Sequence, residues 1–371
     1  MTGQSVFCQQ ESEFLLFYID KTIGEAIEAS ELSEAEMSIF QSISVAVQRG
    51  NCIVCGEYHS LSVLASRTDN IGILFRKILS KYVTQRAIME EVDVIFCICK
   101  NSAKELPAFI VEKVKEIRID RIVDYWWDLF QKCVLVCENQ NDCKYYSLLG
   151  LNYCNRHNIV EYTVDFTYQG GGGQTTAESY DNMVCREKRP TLCIVDSDKR
   201  HANNCTLGKT CMDVRNIEAS FSETEPPFQT VVLQVHEVEN IVPLTILADV
   251  YRNKPLINSY IELLKNLASI ENGAPLLYYD LKYGCSNLLG TDDVSQYWNS
   301  IAATHEIDLS EFDNIFPAIV DRKYLSKVVP QLRDIVDNHE SLEFEACLED
   351  IVLQLERTIF SWGCIGRPIY A

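Results

Sequence analysis

Two carboxylates one residue apart, Asp196 and Asp198, directly follow the apolar run TLCIV at 191–195. Once the chain leaves a strand, such a pair can turn both side chains toward one cation. Hard Mg²⁺ or Mn²⁺ suits ligands of this kind, because those ions prefer oxygen and keep waters for substrate phosphates. A second apolar run, CVLVC at 133–137, delivers Glu138, with Asp142 four residues on. Glu138 can act as a metal ligand or as a general acid and base. Neighbouring carboxylates raise its pKa and bound metal lowers it, so the cation decides its protonation state. An isolated Asp-x-Asp also suits a solvated turn. The combination is more specific: an apolar strand ending in Glu, an Asp, the glycine cluster Gly170–Gly173, then an apolar strand ending in Asp-Ser-Asp.

These residues need elements to hold them. Around the glycine cluster the pattern reads strand 133–137, helix from about 142 to 149, strand NIVEYTVDF, glycine turn, helix 176–185, strand TLCIVD and loop DSDKRHANN. That alternation predicts an α/β domain with a parallel sheet, whose ligands sit at the carboxyl ends of the strands. After the polar stretch SFSETEPPF comes a further predicted strand, TVVLQVHEVEN, and Pro243 opens helix-like sequence. Upstream, apolar spacing predicts helix from Glu11 to Val47, short strands at 51–58 and 92–99 with helix between them, and a helix over PAFIVEKVKEI. Beyond Pro255 the pattern is mainly helical. Three regions result: an N-terminal α/β region at 1–128, a catalytic α/β domain at 129–250 and a mainly helical C-terminal region at 251–371.

The motifs VLVCENQND, QGGGG and LCIVDSD resemble the Toprim family, the catalytic fold of topoisomerases, bacterial primases and the overcoming-lysogenization-defect nucleases. The resemblance covers roughly a third of the chain and implies a Rossmannoid parallel sheet. It also implies a general acid or base at Glu138 and metal binding at Asp196 and Asp198. Asn139 stands where many members have glycine. Within the family the chain leans toward the nucleases: Asp142 matches an additional acid of their first motif, and HEVENIVP looks like the Glu-x-Glu-Asn stretch that follows their third. Glu237 and Glu239 then belong to a second metal position. Two ions about 3.5–4 Å apart activate water and stabilise the leaving oxygen in phosphodiester hydrolysis. Lys282 in YYDLKYG is a candidate for contacting phosphate or stabilising transition-state charge, and Lys199, Arg200 and Lys209 for touching phosphate beside the Asp-Ser-Asp loop.

The expected function is a Mg²⁺-dependent (or Mn²⁺-dependent) nuclease acting on DNA or RNA, an effector of a prokaryotic defence system held in check by a separate ATPase or sensor protein. The chain has no ATP-binding motif of its own, since the glycine run lacks the lysine of a phosphate loop. Two alternatives remain: a noncatalytic Toprim-fold interaction module, and a primase-like or topoisomerase-like enzyme. The last lacks a convincing zinc module and a nucleophilic tyrosine domain.

Composition bounds these readings. The 371 residues are 47% hydrophobic, enough for a substantial core, and carry a formal net charge of −20, which opposes unaided binding to a polyanion. Metal, a local basic groove or a basic partner has to offset it. No apolar run approaches the roughly 20 residues that span a bilayer, so the reading is a cytoplasmic protein with no membrane partner. The 16 cysteines lie irregularly and mostly in apolar runs, as buried thiols do. Cys52-x-x-Cys55 lacks a second pair for zinc, and His201, Cys205 and Cys211 lack a fourth ligand. Tyr125, Trp126 and Trp127 read as core rather than as a base-stacking platform.

Overall fold

The computed structural model describes residues 16–92, 95–123, 126–204, 206–222, 225–284, 292–307 and 316–366. In the N-terminal region β1 (Leu16–Ile19), β2 (Ile53–Gly56), β3 (Ile95–Cys99) and β4 (Val114–Arg118) form a parallel sheet in the order β2-β1-β3-β4. The rest of the chain contributes β5 (Val134–Cys137), β6 (Tyr162–Val164), β7 (Thr167–Gly170), β8 (Thr191–Val195), β9 (Phe228–Val232) and β10 (Cys364–Gly366). Of these, four make a second parallel sheet, β7-β5-β8-β9, and β6 pairs antiparallel with β10. The α/β class with parallel sheets is therefore observed. Both four-stranded sheets share one connectivity, in which the order reverses at the first strand. Open sheets of this kind bind ligands in the crevice beside that reversal, which in the second sheet lies between β5 and β8.

Strands β5 and β8 are buried on both faces, as parallel sheets covered by helices require. Their residues alternate between two cores: Leu135, Cys137, Leu192 and Ile194 face the main one, while Val134, Val136, Cys193 and Val195 face a smaller one with Tyr180, Val184 and Val214. The main core runs without a break from Phe17 and Phe96 through Tyr145 and Leu149 to Leu332 and Trp362. Its pivot is the helix Gln140–Arg156, against which the C-terminal helices Tyr324–Asp337 and Glu349–Gly363 pack. Close approach is set at Gly150, where a Cβ would stand 2.8 Å from Ile359 Cγ2. A buried polar lock sits beside it: Asn152 Nδ2 donates to Glu356 Oε1 at 2.6 Å, and Asn152 Oδ1 accepts from the Leu342 amide at 2.8 Å.

Three sequence readings are corrected. Residues 16–19, expected within a helix, form β1. A run of four buried apolar residues, LFYI, fits either period, and its neighbours on both sides continue a helical spacing. The segment PAFIVEKVKEI is not one helix either: a short 3₁₀ turn at Val111–Lys113 leads into β4, an edge strand with Lys115 and Glu116 exposed. Charge on an edge discourages further strand pairing. Finally, NIVEYTVDF does not supply the strand that enters the glycine turn. Part of it becomes β6, and the sheet strand is the following TYQG. No helix among the described residues is long and apolar enough to cross a membrane.

Candidate metal centre

Glu138 is the first residue beyond β5, and the glycine turn closes over it. Gly171 N–H donates to the Cys137 carbonyl and Gly172 N–H to that of Glu138, both at 2.8 Å. Gly172 and Gly173 have φ of 70° and 68°, a region where glycine is at ease. A Cβ on Gly171 would meet Thr176 Cα at 2.3 Å. The turn is thus shaped to seat the glutamate. Asn139 caps the next helix, its Oδ1 accepting from the amides of Asn141 at 2.9 Å and Asp142 at 3.3 Å. Asp142 reciprocates: its Oδ2 accepts from Asn139 N at 3.1 Å and from Nδ2 at 2.7 Å, completing a capping box. Its other oxygen, Oδ1, is buried with no hydrogen-bond partner among the described residues.

The Asp196-Ser197-Asp198 loop beyond β8 is stitched to the loop beyond β9. Asp196 Oδ1 accepts from the Val238 amide at 3.1 Å, Ser197 Oγ donates to the Val235 carbonyl, and Asp198 N–H donates to the His236 carbonyl at 3.0 Å. Asp198 takes φ of 54°, and its Oδ2 lies so near Gly208 that a Cβ there would stand 1.7 Å from it. Glu237 and Glu239 hang from the second loop, which Asn240 fixes. Its Oδ1 accepts from the Glu237 amide at 3.1 Å, and its Nδ2 donates to the carbonyls of Leu276 at 2.9 Å and Tyr279 at 2.8 Å. Asp280 holds the next turn by accepting from the amides of Lys282 at 3.1 Å and Tyr283 at 2.7 Å. That turn brings Lys282 Nζ to 3.1 Å from Glu237 and 3.0 Å from Glu239.

Seven of the ten residues singled out from sequence, Glu138, Asp142, Asp196, Asp198, Glu237, Glu239 and Lys282, thus lie on loops at the carboxyl edge of the second sheet. Burial, then the charge of Asp198, pushes the Glu138 carboxyl up to about 7. Burial and Glu239 do the same to Asp142, also to about 7. Asp196 is raised well above its ordinary value by burial and by Glu138, Glu239, Asp142 and Glu237. Burial raises Glu239, with Lys282 opposing. Burial acts to lower the Lys282 ammonium, yet Glu239 and Glu237 outweigh it and hold it above its usual value. Crowded carboxylates of this kind favour any added positive charge.

Ser197, His236, Asn240 and Asp280 were not assigned roles from the sequence. Only the Asn of the Glu-x-Glu-Asn stretch hinted at one. Lys209 pairs with Asp213, and the Arg200 carbonyl accepts from Trp298 Nε1 at 3.1 Å. His201 is buried, 3.3 Å from Asp293 Oδ2 and stacked on Tyr297, while Cys211 is buried in the smaller core. Cys205 and Tyr125 lie outside the described residues. Cys52 and Cys55 are buried free thiols at β2.

Comparisons with protein-family models, curated proteins and solved structures gave no match.

Proposed function

We propose that this chain is a metal-dependent nuclease with a Toprim-like catalytic domain, hydrolysing phosphodiester bonds of DNA or RNA. The observation that carries the reading is charge: at the strand ends the charges of Asp198, Glu237 and Glu239 act on Glu138, those of Glu138, Asp142, Glu237 and Glu239 act on Asp196, and Lys282 pairs with Glu237 and Glu239. Asp142 and Glu239 are buried and the other four half-buried, and crowding of this kind near neutral pH favours protons or metal on the cluster. The donor set fits Mg²⁺ or Mn²⁺, being all oxygen, and buried Asp142 Oδ1 and Glu239 Oε2 lack hydrogen-bond partners among the described residues. Asp196, Asp198, Glu237 and Glu239 would be the principal ligands, with Glu138 and Asp142 completing the set; among the described residues no three of these carboxylates have ligand atoms within 4.8 Å of one another, so an ion would have to draw them together. Bound metal supplies an activated water and charge neutralisation for the leaving oxygen.

The chain's own residues do the rest. Glu138 is raised to about 7 without metal, and a bound cation would lower it, so the cation would set how readily Glu138 exchanges a proton near neutral pH. Lys282 would be free to meet developing negative charge if a bound cation took Glu237 and Glu239 from it. The formal charge of −20 supports the further reading of an effector that needs a basic partner, such as a separate ATPase or sensor of a prokaryotic defence system, to approach nucleic acid.

The test uses purified wild type and the double variant Glu138→Ala, Asp196→Ala on mixed DNA and RNA, with Mg²⁺, Mn²⁺ or EDTA, with and without cell lysate. Metal-dependent cleavage by wild type alone is expected. Cleavage that survives EDTA or the double substitution overturns the assignment. Absence of cleavage by wild type under every condition favours the noncatalytic interaction module instead.

A further inference from the structure

The loop beyond β9 carries a donor that the carboxylate cluster does not use. His236 is 2% exposed, and neither of its ring nitrogens has a hydrogen-bond partner among the described residues. A buried imidazole left this way is unfavourable unless something else satisfies it. Asp280, 4% exposed, commits Oδ1 to two backbone amides and leaves Oδ2 at 3.7 Å from His236 Nε2. Glu237 follows His236 directly, and one ligand atom from each of His236, Glu237 and Asp280 lies within 4.8 Å of the other two.

From this geometry we infer that His236, Glu237 and Asp280 form a second cation site, of mixed nitrogen and oxygen donors, for a first-row transition ion of the Zn²⁺ type with water as its remaining ligand. Zinc binds imidazole nitrogen and carboxylate oxygen at about 2.0–2.2 Å, so tetrahedral donors stand about 3.4 Å apart. The observed 3.7 Å between Nε2 and Oδ2 needs a shift of only a few tenths of an ångström. The imidazole also sets the selectivity, because Mg²⁺ disfavours nitrogen whereas Zn²⁺ accepts it. The site is built on fixed backbone: His236 N–H donates to the Leu277 carbonyl at 2.8 Å, its carbonyl accepts from Asp198, and Asn240 anchors Glu237. An ion here ties the Asp-Ser-Asp loop, through the His236 peptide, to the turn that carries Lys282. The donor set shares Glu237 with the all-oxygen cluster, and His236 and Asp280, which the nuclease reading does not use, distinguish the two.

The test is a Zn²⁺ titration of the metal-stripped full chain, ¹⁵N-labelled at histidine, in excess Mg²⁺ so that Zn²⁺ is kept from the carboxylates that His236 does not join. The six histidine rings are followed by nitrogen NMR, and His236→Gln assigns the signal. Zn²⁺ is expected to move the His236 ring nitrogens to metal-bound shifts at one equivalent. Asp280→Asn, which keeps the Oδ1 acceptor of the turn, is expected to weaken Zn²⁺ at least tenfold with circular dichroism unchanged. His236 signals indifferent to Zn²⁺ overturn the site and leave a metal-free imidazole–carboxylate pair. Mg²⁺ displacing Zn²⁺ at equal concentration, or Asp280→Asn binding Zn²⁺ as wild type does, overturns it as well. Because the readout is a ring shift, failure of nuclease activity leaves it intact, and the two proposals fail separately.

Discussion

The backbone N–H of Asp198 donates to the carbonyl of His236 at 3.0 Å, and this bond makes two acidic loops a single unit. With the Ser197 hydroxyl on Val235 and the Val238 amide on Asp196, it fixes Asp-Ser-Asp against Glu-Val-Glu before any ligand is present. Preformed geometry matters because like charges held close are costly, and they stay close only when the backbone leaves them no alternative.

Gly208 tests that geometry without removing a carboxylate. Its φ of −59° is open to any residue, so Gly208→Ala strains nothing in the backbone, but the new Cβ displaces the Asp198 carboxylate, now 1.7 Å from where it would stand. Metal-dependent cleavage is expected to fall by roughly a hundredfold or more, as happens when a catalytic group shifts by about 1 Å, while the urea midpoint changes little. Wild-type cleavage rates in this variant remove Asp198 from the site.

Metal-free stability is expected to fall as pH rises. Glu138 and Asp142 have ordinary values of 4.5 and 3.8 and folded-state values of about 7. Between those limits these two groups bind more protons in the folded state than in the unfolded one, so the stability they contribute is fully present below about pH 4 and is lost as pH climbs through about 7. Glu356, raised to about 7 chiefly by burial, adds to the same slope from the far side of the Gln140–Arg156 helix. Urea midpoints of metal-stripped protein from about pH 5.5 to about 8 should decline, and Mg²⁺ should restore stability at the upper end but not at the lower, where it competes with protons. Glu356→Gln should flatten the part of the slope that Mg²⁺ leaves untouched. A midpoint that climbs with pH contradicts the raised carboxyls.

How much of this was legible follows from what each residue depends on. Glu138 and Asp196 stood out because β5 and β8 are buried on both faces and so appear as uninterrupted apolar runs that stop at a charge. Asp142 stood out as an additional acid of the first motif, whereas its part in capping the helix from Gln140 is seen only in the structure. β1 was hidden because four apolar residues carry no period of their own, and β4 because an exposed edge strand lacks the apolar signature of a buried one. The pairing of His236 with Asp280 and of Lys282 with two glutamates depends on the turn after Tyr279 returning to the β9 loop. Local spacing carries no record of such a contact.

Lys282→Met separates a catalytic ammonium from a structural one. In the metal-free protein the ammonium competes with any divalent ion for Glu237 and Glu239, so removing it should tighten Mg²⁺ binding measured by calorimetry. The same change should slow cleavage by about 10²–10³-fold if Lys282 stabilises charge in the transition state. The two effects have opposite signs, which misfolding does not produce. Weaker metal binding together with slower cleavage refutes the competition.

Asn240 is where stability and site geometry meet. Buried between the β9 loop and the carbonyls of Leu276 and Tyr279, it makes three hydrogen bonds, one of which holds the amide of Glu237. Asn240→Ala deletes all three and leaves the Glu237 amide without this acceptor, each net bond contributing about 1 kcal/mol and an orphaned amide costing more, so a loss of about 2–4 kcal/mol in urea unfolding is expected. Asn240→Asp keeps the acceptor for Glu237 but turns an oxygen toward the two carbonyls, and should not rescue stability. Because the amide anchor survives in Asp and is lost in Ala, the extra stability conferred by saturating Mn²⁺ should shrink in Asn240→Ala and persist in Asn240→Asp. Equal stabilisation of both variants by Mn²⁺ means that Glu237 is not a ligand held by this residue.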